Sequence, residues 1–423
     1  MDDNRETAVL VVGGGPVGMF TALRLSRAGV AVRLIDREWR IGAHSYALCL
    51  HTGTLRLLAE SDCREVLAAG QHIGAMRFYD GQQPRLRVDL ARLDDQWPFV
   101  LTIGQDQLES LLESKLRERN LPVEWNRGLS SLHIDSDRVR CRIEHWRRAP
   151  RGYAIAAGEW SVERTSDVDA AYVVGADGHR SAVRSALEIA YETAGPIQNF
   201  AVFEFKSNAG PADEAIVVLD RSGTSVLWPL PNGYRRWSFQ MGDMELPAES
   251  RLKVRGGGQG GIQTFPHVGR EDLARLIGER APWFQGSVGE INWSGLVRFE
   301  RRMATSMGRG RCWLVGDAAH MASPVGVQSM NGGMQEGAEL AECLQNVLRG
   351  QRSAEVLETY GRRRLAEWRT MTCVDASPAG AQGADPWVAA NAASIATSLP
   401  ACGQDLAALL AQVNLRLPRA DAR

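Results

Sequence analysis

The chain has 423 residues, 44% of them hydrophobic, with 49 basic against 50 acidic side chains and a net charge of -1. That length suggests two or three domains, and with no long run of one sign neither nucleic acid nor an anionic membrane is an expected partner. Seven cysteines, odd in number and never spaced Cys-x-x-Cys, speak against a disulfide framework or zinc site and suit a reduced cytoplasm.

The polar opening runs straight into a strand, which predicts no signal peptide. No apolar run approaches the roughly 20 residues of a membrane span. Residues 8–12 read as a buried parallel strand, 16 to about 28 as a helix and 31–35 as a second strand, a βαβ unit of the required length. A helix follows at 52–60, residues 76–99 read as irregular and turn-rich, and 105–119 has helical apolar spacing at Leu108, Leu111, Leu112 and Leu116. Residues 121–175 alternate as strands. Pieces at 200–205, 215–219, 225–230 and 236–241, joined by Gly/Asn/Pro-rich turns, predict a mainly antiparallel sheet. The α/β pattern returns near Cys312, a long helix is expected over 332–348, and the last 70 residues read as helices and loops. The apolar segment 406–415 is expected to pack on the cofactor domain, ahead of a second subunit. There is no internal repeat.

Gly13-x-Gly15-x-x-Gly18 lies between strand and helix, where each glycine has a physical task. Gly13 permits the tight turn, Gly15 lets backbone approach a pyrophosphate, and Gly18 allows close helix–strand packing. Pro16 and Val17 open the helix whose positive N-terminus takes the phosphates. Asp36, followed by Arg37, ends the second strand and is placed to accept hydrogen bonds from an adenosine ribose. An acid there disfavours a 2′-phosphate, so FAD or NAD is expected rather than NADP. Residues 256–261 match the same pattern with no strand before them and Pro266 soon after, which predicts a flexible surface loop. Two further segments are Gly175-Ala176-Asp177-Gly178-His179-Arg180-Ser181-Ala182-Val183-Arg184 and Leu314-Val315-Gly316-Asp317-Ala318-Ala319-His320. Each alone reads as an ordinary turn; the three in this order point to flavin.

Together these segments resemble the p-hydroxybenzoate hydroxylase family of single-component (group A) FAD-dependent aromatic monooxygenases, over roughly residues 8–365. The resemblance implies an α/β fold with a doubly wound, glutathione-reductase-like Rossmann domain for FAD (1–75, 100–185 and 300–365). An inserted, mainly antiparallel substrate sheet (76–99 and 186–299) and a C-terminal helical segment (366–423) complete it. Asp177, Gly178, Ser181 and Arg184 match a segment that in the family touches both FAD and nicotinamide cofactor. Gly316 and Asp317 match the segment that binds the ribityl chain and pyrophosphate. Gln105 resembles a glutamine that bonds the flavin. Pro324, Gly326, Val327, Met330 and Asn331 resemble the loop and helix start facing the isoalloxazine ring, where backbone N–H groups stabilise the reduced flavin's negative charge.

The implied chemistry is reduction of FAD by NADH or NADPH, reaction with O2 to a flavin C4a-hydroperoxide, and hydroxylation or epoxidation of an aromatic or polyketide-like small molecule. Such chemistry needs no acid–base triad and no metal. Val226 to Pro231 resembles the family's substrate-side strand, so Phe203, Trp228, Pro229, Trp237 and Pro324, with Phe200 nearby, are expected at the substrate pocket. His51 and Tyr46 are the catalytic candidates, Tyr46 also as a cofactor contact. His320 is expected to be structural.

The chain departs from the family in several places. Tyr46-Ala47 and His51-Thr52-Gly53-Thr54 stand where relatives have Arg-Ala and His-Pro-Arg-Thr, so two arginines are absent and unusual nicotinamide selectivity is expected. Gly326-Val327-Gln328-Ser329 replaces a Gly-Gly-Gln-Gly pattern and adds Cβ atoms beside the ring. Glu336 stands where the family commonly has Asp. Two rival readings stay open: an FAD-dependent reductase of the geranylgeranyl-reductase kind, and a non-catalytic flavin-binding protein. The expected setting is the bacterial cytoplasm, as monomer or homodimer.

Overall fold

The structure, a computed structural model, describes residues 6–39, 47–149, 159–242 and 268–418. Tyr46 and the glycine-rich segment 256–261 lie outside them. Strand Glu6–Val12 is the centre of the first sheet. It pairs in parallel with Val32–Asp36 on one side and with Glu159–Gly175 on the other, and Glu159–Gly175 pairs in parallel with Cys312–Leu314. Val9, Leu10 and Val11 are fully buried, as expected of a parallel strand covered on both faces. Helices Pro16–Arg27, Gln105–Glu118 and Gln328–Leu348 share one of those cores.

The long helix starts at Gln328, four residues ahead of the predicted 332. The Gly332-Gly333 pair reads as a breaker in sequence, yet packing demands it. A Cβ on Gly333 would lie 2.7 Å from the Gly316 Cα.

The second sheet has seven strands in the order Ile291–Phe299, Gln198–Lys206, Tyr234–Met241, Gly223–Pro229, Glu214–Asp220, Ala75–Asp80, Gln83–Asp89. Residues 76–99 are therefore not wholly irregular: they carry most of the last two strands, joined as a hairpin across Gly81-Gln82. Asp80-Gly81 between two short strands is a hairpin signal that the sequence does contain. One face of this sheet packs Phe203, Phe205, Trp237 and Phe239 against helix Arg270–Arg280. The other face shares a core with C-terminal residues Ile395, Leu399, Leu406, Leu409 and Leu410, so the apolar segment near 406 packs within the chain but on the second sheet, not on the cofactor domain as expected. Among the described residues no helix is long and apolar enough to cross a membrane.

Candidate functional site

Sheet register brings the three motifs together. Val12 lies opposite Gly175 and Gly175 opposite Leu314, so the chain leaves three adjacent strands at their carboxyl ends into the three motif loops. Ala176 N donates to Val12 O at 2.7 Å and Val315 N to Gly175 O at 2.9 Å. A crevice at such a switch point is where open α/β sheets bind ligands.

The glycines divide by task. Gly13 has φ +114°, and a Cβ there would lie 2.2 Å from Ala176 O, while one on Gly18 would lie 1.9 Å from Gly13 O. A Cβ on Gly15 meets no protein atom within 4 Å. That space sits over the N-terminus of helix Pro16–Arg27 and is the cradle a pyrophosphate would fill. Asp36 closes the loop, accepting from Gly14 N at 2.5 Å and Glu38 N at 2.6 Å. Burial raises its pKa against those two bonds.

A cavity of about 1750 Å³ runs from Asp36 and Arg37 past Gly13, Gly15, Pro16 and Val17 to the second sheet. It exceeds the roughly 300–1,000 Å³ of a drug-sized ligand site, leaving room for a dinucleotide and a second molecule. Gln105, Asp177, Gly178, Asp317, Pro324, Val327 and Met330 also line it. Asp317 is exposed to the cavity yet ringed by protein, and that desolvation raises its pKa. The Asp177 carboxylate faces the following turn instead, accepting from Ser181 Oγ at 2.5 Å and Ala182 N at 2.6 Å. Arg184 bridges two motifs, donating to Ala318 O and His179 O, both at 2.8 Å, and its guanidinium lies 3.8 Å from the centre of the Tyr191 ring.

Several expected site residues stand behind the wall. Gly18 packs against Gly13 of its own loop, and Gly316 against Val17 of the first motif. A Cβ on Gly326 would lie 2.7 Å from Thr397 O, so this glycine lets the C-terminal segment close in. Asn331 accepts from His51 N at 2.8 Å and donates to Cys49 O at 2.8 Å and Val327 O at 2.7 Å, fixing the loop without lining the cavity. The catalytic candidacy of His51 is overturned. Its ring is 1% exposed, Nε2–H donates to Gly326 O at 2.8 Å, and burial pushes its pKa down to about 3, so it is a neutral structural group.

Strand alternation corrects the substrate wall. Phe200, Val202, Val226, Trp228, Val297 and Phe299 line the cavity, whereas Phe203 and Trp237 point into the opposite core. Pro229 follows Trp228 and so turns away; its carbonyl accepts from Thr102 Oγ1 at 2.6 Å.

Behind Gly316 lies a buried hub. Glu336 is fully buried and accepts from Gly316 N at 3.0 Å, His320 Nε2 at 2.7 Å and the Trp368 indole N–H. Burial alone would raise its carboxyl, but His320 and these bonds hold it below the usual value. His320 stacks on Trp368 with ring centres 3.5 Å apart, a structural role as expected. Val327 caps the long helix with φ 50° and ψ 39°, a left-handed conformation that is an outlier for a β-branched residue.

Sequence reading missed the adenosine end. Trp39, Arg127, Trp146 and Trp160 line the cavity beside Asp36, with the Arg37 guanidinium 4.6 Å from the Trp146 ring centre. Trp39 and Trp160 are 51% and 40% exposed. Isolated tryptophans in strands, such as Trp146 and Trp160, read as core, and only the pairing of distant strands shows otherwise.

This geometry defines a dinucleotide-binding α/β protein with an aromatic-walled second compartment. The family model described as "FAD binding domain" matches residues 6–375, and the chain belongs to that family. It is 31% identical over 379 residues to 6-methylpretetramide 4-monooxygenase of Streptomyces rimosus, covering 86% of this chain and 62% of that one. It is 27% identical over 365 residues to pentachlorophenol 4-monooxygenase of Sphingobium chlorophenolicum, covering 84% and 61%. The chain thus spans about three-fifths of the length of these two relatives. The crystal structure of p-nitrophenol 4-monooxygenase from Pseudomonas putida superposes with TM-score 0.70 over 97% of both chains at 20% identity, a likeness of fold. The open cradle at Gly15, the acid at Asp36 and the size of the cavity fit FAD.

Proposed function

We propose that this chain is an FAD-dependent monooxygenase acting on a planar aromatic or polyketide-like small molecule, with NADH or NADPH as electron donor. The observation that carries this reading is the unbroken cavity that joins the phosphate cradle to the apolar platform of the second sheet. Gly15 and the helix behind it would hold the pyrophosphate, Asp36 the ribose and Asp317 the ribityl chain. Gln105 and the start of helix Gln328–Leu348 would hold the ring. When bound, FAD supplies hydride acceptance and dioxygen activation.

The protein's own part is to exclude water and to orient the second molecule. Phe200, Val226, Trp228 and Val297 offer it an apolar bed, flanked by Arg236 and Ser238 on the neighbouring strand. His179, on the Asp-Gly loop, lines the cavity, and burial lowers its pKa. Both curated relatives are named as monooxygenases, which supports oxygenation over the reductase and the non-catalytic readings. The arginines absent at positions 46 and 53 support loose discrimination between NADH and NADPH.

The test supplies the FAD-loaded protein with NADH or NADPH, labelled dioxygen and a panel of phenolic and polycyclic compounds. Ligand-stimulated nicotinamide oxidation with one labelled oxygen atom in the product is expected. Ligand-stimulated reduction without incorporation would instead establish a reductase. Tight FAD with neither response would establish a non-catalytic binder.

A further inference from the structure

The bed of the large cavity does not end where that cavity ends. On three adjacent strands the residue that lines it is followed, two positions along the same face, by one that lines a second compartment: Phe200 by Gln198, Ser238 by Gln240 and Val226 by Thr224. The character changes from mainly apolar to amide and hydroxyl across that step. Ser323 and Val325 line both spaces and form the partition between them. The second compartment measures about 280 Å³, and its far wall is Asn391, Ser394, Thr397 and Ser398 of the C-terminal segment.

One cation faces this polar space. The Arg301 guanidinium has a single hydrogen bond among the described residues, to Thr372 O, and no carboxylate in ion-pair range. Its Nε is buried without a partner, and so is the Gln198 Oε1. The nearby acid, Asp220, is engaged through Oδ1 by Ser222 N at 2.7 Å. Burial lowers the Arg301 pKa, yet a guanidinium stays charged, and a half-buried charge without a counterion is costly to the extent that it is desolvated. Arginine's rigid fork of donors matches a carboxylate.

We propose that this compartment is a second ligand subsite that takes a carboxylate on Arg301. The carboxylate is either the acidic tail of a molecule lying on the bed, which rests on the substrate reading above, or a separate small acid. In the first case Ser323–Val325 yields to let the tail through.

Two measurements on the FAD-bound protein decide it. The first compares naphthylpropionate with naphthylpropanol by flavin difference absorbance, and the second compares thermal midpoints in acetate and in chloride at equal ionic strength. Each is run on wild type, Arg301→Gln and Gln198→Glu, the last keeping Arg301 but placing a competing carboxylate in the compartment. The acid is expected to bind about tenfold tighter than the alcohol, as one charge-assisted hydrogen bond would give, and both variants should erase the difference while retaining FAD. An acetate-specific rise in midpoint, lost in both variants and without discrimination in the naphthyl pair, would identify a separate small acid and equally support the subsite. If neither naphthyl ligand perturbs the flavin but acetate acts, the substrate bed is wrong and the subsite stands. No response in either arm means that the compartment holds only water, and discrimination that survives both variants places the acid elsewhere; each overturns the proposal.

Discussion

The two ends of the large cavity are made of different materials. At the cofactor end the pyrophosphate cradle is mostly backbone: glycines, a helix N-terminus and carbonyls brought to one edge by three parallel strands. At the substrate end the wall is side chains, drawn from four strands between residues 198 and 299 and selected by which face each strand presents. Backbone function is written in short local patterns, whereas side-chain function depends on register. The cradle can therefore be read in a sequence, whereas the substrate end, like the tryptophans beside Asp36, cannot.

The sharpest way to break this comparison lies within one motif. Gly15→Val puts atoms into the empty cradle, where a Cβ meets no protein atom within 4 Å, so the variant should fold and lose FAD. Hydrogen bonds to a charged phosphate contribute about 1.5–3 kcal/mol each, so losing two weakens FAD a hundredfold or more. Gly18→Ala drives a Cβ into Gly13 O and should cost stability before it costs affinity. Flavin fluorescence titration beside thermal melts separates the two; a yellow, stable Gly15→Val protein would refute the cradle.

At the other end, Trp237 and Trp228 test whether face decides function. Trp237→Ala removes a fully buried ring from the core under helix Arg270–Arg280 and should cost about 3–5 kcal/mol in denaturant unfolding, with ligand affinity kept. Trp228→Ala opens the bed and should weaken a planar ligand by up to about tenfold, the scale of one aromatic contact. If the two variants exchange these effects, the assignment of faces is wrong.

The motifs made the first sheet legible because each glycine sits where a strand end forces it. The start of the long helix was obscured because Gly332 and Gly333 serve packing, which sequence cannot distinguish from breaking. Phe203 and Trp237 are expected at the pocket because they lie on strands near the one that carries Trp228. One residue of register decides which face is which, and a single chain does not reveal it. His51 looked catalytic for being near the flavin in the family pattern, but only the fold shows it sealed behind Gly326.

That burial has a pH signature at the seam between the two ends. Unfolded His51 takes up a proton as pH falls below 6.5, while the folded ring stays neutral to about 3, so the unfolded state binds more protons through that window. Stability from this group is therefore complete above pH 7 and falls on acidification, by about 2 kcal/mol at pH 5. His51→Gln, which keeps a donor for Gly326 O, should flatten that part of the pH–stability curve. An unchanged slope would mean that His51 is accessible after all.

The smallest effect belongs to Val327, where the two ends meet. Its left-handed conformation costs a residue with a Cβ roughly 1–2 kcal/mol, and glycine relieves this while giving back about 0.5–1 kcal/mol through the freer unfolded chain. Val327→Gly should thus stabilise the protein by under about 1 kcal/mol and enlarge the cavity where the flavin ring is expected. Bulkier planar ligands should then perturb the flavin spectrum at lower concentration, with FAD affinity little changed. A destabilised variant would show that the side chain's packing against the C-terminal core outweighs its backbone strain, and that this residue is there to anchor the loop rather than to shape the ligand's space.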